Sequence, residues 1–75
     1  MKIAELGKHR DMPFVKIGMR VQLLDYGPMG RISGVNDSGN LEVIFDGERH
    51  STNCHPDWMI RYFDKNGKVI AEYRT

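Results

Sequence analysis

Cysteine is almost absent: Cys54 stands alone in 75 residues. No internal disulfide can form, which excludes the cross-linked scaffolds that support many small secreted domains. Long apolar runs are missing as well. Nothing approaches the roughly 18 residues that a membrane-crossing helix needs, and "MKIAELGKHRDM" has no apolar core of the signal-peptide kind. A reducing cytoplasm is therefore the expected compartment, with no membrane partner. An excess of one charge is lacking too: 11 Lys+Arg face 10 Asp+Glu, a formal net charge of +1. Composition thus gives no general argument for nucleic-acid binding. No Lys-Ser/Thr ending follows "GPMGRISG", so a phosphate-cradling P-loop is excluded. No segment keeps helical spacing over about ten residues, and no repeat is present. The length leaves room for one domain, near the lower limit for a core without cross-links.

What is present is strand patterning punctuated by glycine. In "MRVQLLD" Met19, Val21 and Leu23 alternate with polar residues, Leu24 excepted. "DYGPMG" is a Gly-Pro turn, and "GRISGVN" is a short strand with Ile32 inward and Gly34 at a bulge or sharp bend. "NDSGN" predicts a hairpin turn. "LEVIFD" is the clearest strand, with Leu41, Val43 and Phe45 on one face. "RHSTN" continues extended. After Pro56, Asp57 and Trp58 suit one tight helical turn that sets the indole on a core edge. "MIRYFD" and "KVIAEY" flank an Asn-Gly hairpin turn. The expected fold is all-β: a small barrel of about five or six short antiparallel strands, with one short helical turn near Pro56–Trp58. Residues 1–12, mixed in charge and ended by Met12-Pro13, read as a flexible N-terminal tail, and 13–75 as the barrel domain.

The only cluster of metal-ligand types is His50, Cys54 and His55 in "HSTNCH". A structural zinc site needs about four converging ligands, and adjacent Cys54 and His55 would face opposite ways on an extended chain. Neither a metal nor a cofactor is expected, and Cys54 reads as a small buried residue. A Cys54 nucleophile with a histidine base, oriented by Asp57, would need a cleft that sequence proximity does not supply. Asp46 and Glu48 flank a turn, and Asp64 serves one. Enzymatic activity is not expected.

A contact surface remains. Tyr26, Trp58 and Tyr62 combine flat apolar rings with a polar handle, and Arg31, Arg49 and Arg61 supply forked donors. Aromatics with arginine are what interfaces and single-stranded nucleic-acid grooves use. For Trp58 the competing reading is packing against the barrel end, and for Tyr62 the covering of an edge. Tyr26, beside Gly-Pro, is expected to be exposed.

"IGMRVQLLDYGPMGRISGV" resembles the KOW motif and related SH3-like barrels, matched at Gly18, Val21, Gly27, Pro28, Gly30 and Ile32. The resemblance implies an SH3-like barrel whose relatives contact RNA, ribosomal parts or transcription complexes; Tudor-like relatives bind methylated residues or peptides. The whole chain also resembles small proteins of phage and prophage genomes. "DSGNLEVIFDGE" departs from ribosomal KOW domains in lacking dense Lys/Arg. The expected function is a non-enzymatic binding module that contacts nucleic acid or a nucleoprotein complex. The alternative is a protein–protein interaction module acting on a host protein complex, or a homo-oligomer. An oligomeric barrel enzyme with its site on the symmetry axis ranks last.

Overall fold

A computed structural model describes residues 1–74. It has one helix, α1 (Ile3–His9), and six strands: β1 (Arg20–Leu23), β2 (Met29–Val35), β3 (Leu41–Phe45), β4 (Thr52–Cys54), β5 (Ile60–Phe63) and β6 (Val69–Tyr73). All pairings are antiparallel, in one sheet ordered β4-β3-β2-β1-β5-β6. The all-β expectation is met, and for the expected reason. Leu41, Val43 and Phe45 are buried at alternate positions of β3, as are Ile60 and Tyr62 on β5 and Val21 on β1, so each strand sends one face inward. Ile32 is buried, and the register of β2 against β3 shifts between Ile32 and Gly34, placing a bulge where the glycine suggested one.

The sheet is curled. Six strands about 4.8 Å apart would, if flat, make a slab about 10 Å thick, whereas the molecule measures 27 × 26 × 24 Å. The connection from β4 to β5 enforces this. Residues 55–59 must cross from one side of β3-β2-β1 to the other. On a flat sheet that step covers roughly 19 Å, nearly the full reach of so short a segment, yet Pro56 and Asp57 spend that length on a turn. Only a strongly curled sheet brings the two ends near enough. Gly30 marks how tightly it closes: a Cβ there would come within 2.7 Å of the Ile44 carbonyl oxygen.

Two expectations are corrected. Residues 1–12 are not a free tail. α1 lays Leu6 into the core, and Met12, just beyond it, is fully buried. An isolated helix of about two turns is marginal in water, so this one is held by what it covers. The chain after it turns sharply inward, with the Met12 N–H donating to the Gly7 carbonyl at 2.7 Å. A Cβ on Gly7 would meet the Met12 carbonyl oxygen at 2.7 Å. Secondly, residues 56–59 form a turn and bend, with no helical turn. Pro56 rather than Trp58 occupies the buried place, and its carbonyl accepts the hydroxyl hydrogen bond of Tyr62.

A helix that belongs to the core has a measurable cost of removal. Leu6→Ala is expected to destabilise the protein by about 2–4 kcal/mol in chemical denaturation. A mobile tail would leave the midpoint unchanged within about 0.5 kcal/mol.

Candidate functional site

Antiparallel pairing carries the β1–β2 and β3–β4 loops to one end of the barrel, and the β4–β5 crossing, which leaves β4 at the opposite end, arrives there at Met59. The β1–β2 turn is closed by the Gly27 N–H donating to the Leu23 carbonyl at 2.9 Å and the Leu23 N–H donating to Pro28 at 3.1 Å. The Leu24 N–H reaches across to the Met59 carbonyl at 3.0 Å, tying this turn to the β4–β5 crossing. The Asp46 N–H donates to the Met29 carbonyl at 2.9 Å, which anchors the start of the β3–β4 loop beside them. These loops display Tyr26, 97% exposed, Trp58, 57% exposed, and the exposed Arg49. Tyr26 is thus placed as expected, while the indole of Trp58 faces solvent instead of packing on the barrel end.

Two of the three described non-glycine residues with left-handed backbone lie at this end, the third being Asp11 after α1. Tyr26 (φ 60°) and Met59 (φ 52°) both lie in the left-handed region, which costs a non-glycine residue of order 1–2 kcal/mol. Nothing in the packing of Tyr26 offsets that cost, because its ring touches so little of the protein. Strain retained at an exposed aromatic is an observation that points toward use.

The arginines divide into free and occupied. Arg31 projects from β2 opposite Arg20 on β1. Arg20 is clasped by Asp46 through two hydrogen bonds of 2.8 and 2.7 Å, which hold the Asp46 carboxyl below its usual range. Among the described residues Arg31 and Arg49 have no ion-pair partner. Arg61 is occupied. Its guanidinium donates to Glu72 at 2.7 Å and to Gln22 at 3.2 Å, and Glu72 in turn accepts from Arg74 at 2.8 Å. Arg74 closes the chain on Asp25, at 2.8 Å, next to Tyr26. Arg61 is therefore a strut between strands. Tyr62 drops out of the contact surface altogether. It is fully buried, wedged edge-to-face against Phe14 and Tyr73 with ring centroids 5.2 and 6.0 Å away, and burial pushes its hydroxyl pKa up.

"HSTNCH" does not converge. Cys54 is buried, while His50 and His55 are exposed. Among the described residues no three metal-ligand types come together. Burial first, and the Glu42 charge second, push the Cys54 thiol up, which keeps it protonated and poorly nucleophilic. His55 instead approaches Asp57, Nδ1 to Oδ1 3.2 Å, and Asp57 also receives Arg10 from the end of α1 at 3.3 Å. One cluster was not foreseen: Glu42, held below the usual carboxylate range by the Ser51 hydroxyl and the Asn36 amide. Asn36 does double duty, its Oδ1 accepting the N–H groups of Ser38 and Asn40 in the hairpin turn. The turn chemistry was readable. The reach of its amide to β3 was not.

Two outcomes follow from this geometry. Tyr26→Asn, which tolerates the left-handed backbone, is expected to stabilise the fold by about 0.5–1 kcal/mol, a rise of a few degrees in Tm. The carboxylates of Glu42, Asp46 and Glu72 are depressed in the folded state, so their contribution is complete above the unfolded carboxylate range, about pH 4–4.5, and is lost as pH falls through the lower folded values. Thermal melts should be flat from neutral pH to about 5 and fall below about 4. In Glu72→Gln that acid-side fall should be shallower.

No family model matches the chain, and no curated protein or solved structure matches it either.

Proposed function

We propose that this protein is a non-enzymatic binding module that contacts single-stranded nucleic acid, free or within a nucleoprotein complex, through the loop end of its barrel. The observation that carries the reading is the display of two exposed aromatic rings, Tyr26 and Trp58, on loops joined by a backbone hydrogen bond, with two arginines that have no ion-pair partner among the described residues, Arg49 in the β3–β4 loop and Arg31 on β2, available to phosphate. Every base has a flat face, so such a platform is worth about 1–3 kcal/mol per stacked base without demanding a sequence. A duplex hides those faces, which favours the single strand.

The barrel supports an SH3-like, KOW-type reading as well. Val21 is the buried centre of β1, Gly27 and Pro28 lie in the β1–β2 loop, Gly30 sits at the start of β2 in close contact with β3, and Ile32 is buried. With a net charge of only +1 and two unpaired arginines, Arg49 in the β3–β4 loop and Arg31 on β2, electrostatics supplies a modest share of the affinity.

The test is a nitrogen–proton NMR titration with short RNA and DNA strands at two salt concentrations. The expected result is movement of signals from residues 24–31, 46–51 and 57–59, with a salt slope of about −1.5, as two phosphate contacts to a single strand give. Trp58→Ala should weaken binding about 5- to 100-fold, and Arg31→Ala should reduce the slope by about 0.7. Unmoved signals with every strand at low salt would overturn the proposal.

A further inference from the structure

At the opposite end of β1 and β5 lies a second surface of different chemistry. The segment before β1 and the β5–β6 hairpin enclose an open groove of about 800 Å³, floored by Phe14, Ile17, Met19, Phe63 and Ile70. Ile17 is 54% exposed and Ile70 is 43% exposed, an arrangement that leaves aliphatic area in water with no element of the chain covering it. Ile70 is set there by the fold. It is the one residue of β6 skipped between the Tyr62–Ala71 and Phe63–Val69 pairs, and a bulge re-aims the side chain it carries.

The groove does not stop at Ile17. A second depression of about 580 Å³, between α1 and the chain after it, shares Pro13, Lys16 and Ile17 with the first. Together they form a track with an aliphatic floor, longer than a compact small molecule needs and suited to an extended chain.

Its rim is basic. Lys8, Lys16 and Lys65 line the track, and among the described residues none has an ion-pair partner. Asp64, the acid of the first groove, spends its Oδ1 on the N–H groups of Asn66 and Lys68 within the hairpin turn, at 2.8 and 2.9 Å. Asp11 is the one acid of the second. Aliphatic floor with unpaired ammonium groups along the edge is complementary to apolar side chains flanked by carboxylates. A nucleic acid has no flexible apolar side chains to fill the floor, and a flat bilayer surface would not reach the half-buried Met19 and Phe63.

We propose that this track binds an acidic amphipathic peptide segment of a partner protein, so that the molecule has a second recognition surface independent of the loop end. Apolar side chains of the segment sit between Ile17 and Ile70, and its carboxylates meet Lys16 and Lys65.

The probe is a synthetic acetylated, amidated peptide of sequence DDFELLDD, set against KKFKLLKK, by NMR titration of the full chain. Vesicles carrying 30% phosphatidylserine, assayed by co-sedimentation, form a third arm. The acidic peptide is expected to move the signals of residues 13–19 and 63–70 while leaving Tyr26 and Trp58 unmoved. Ile17→Asp, at an exposed position that leaves the fold intact, should weaken it about tenfold or more. Paired Lys16→Glu and Lys65→Glu changes should weaken the acidic peptide and strengthen the basic one. Equal binding of both peptides, no movement with either, or binding confined to vesicles would overturn the proposal. Because the signals lie at the other end of the barrel from the loops, either surface can fail without the other.

Discussion

The fold hangs on the contact between the Tyr62 hydroxyl and the Pro56 carbonyl. The barrel closes only if the short β4–β5 crossing bends over the open side, and that bend exposes a carbonyl to an apolar interior. An unmet acceptor there would cost about 1–3 kcal/mol. Tyr62 meets it from the middle of β5 while its ring fills the centre of the core against Phe14 and Tyr73. The same residue thus packs the interior and clips the crossing shut. Trp58 and Met59, two and three residues after Pro56, inherit their position from that clip, so the exposed loop end is fixed by the largest of the fully buried side chains.

Much of this fold was legible in the sequence, and the illegible parts share a cause. Alternation in "LEVIF" and "RVQL" named the inward faces, and "NDSGN" and "KNG" named two turns, because those signals are local. Tyr62, expected from the sequence as a contact residue, instead shares the buried face of β5 with Ile60. α1 was missed because Ile3, Leu6 and Gly7 make too short a stripe to stand out from a charged terminal stretch. Trp58 was turned the wrong way because a Pro-Asp-Trp turn can bury either end, and only the Tyr62 hydroxyl decides which. The role of Arg61 needed the register of three strands. Gln22, Arg61 and Glu72 lie in one cross-strand row, and the bulge at Ile70 sets that row in a way no single segment reveals.

Near-neutral charge takes on a different meaning once the pairs are placed. Arg20 with Asp46, and Arg61 and Arg74 with Glu72 and Asp25, neutralise each other on the outer face of the sheet. The cations left over are not spread evenly. Lys8, Lys16 and Lys65 stand around the aliphatic track, Arg49 lies in the β3–β4 loop and Arg31 on β2, and among the described residues Lys2 and Lys68 are unpaired as well. A formal charge of +1 therefore conceals a local basic rim around the track, offset by acids outside any ion pair among the described residues, such as Glu5, Glu42 and Glu48. Surface pairs of this kind add little to stability; their larger effect is to remove competing charge from the space between the two ends.

The bulge at Ile70 has one more consequence. An open sheet leaves two free edges, and a free edge invites another strand to add to it. Here β4 is only three residues long, and β6 breaks its own backbone rhythm at Ile70. Neither edge offers an uninterrupted row of donors and acceptors along which a neighbouring copy could zip. A protein with such borders can be packed densely, many copies side by side, and still resist growth into cross-β filaments.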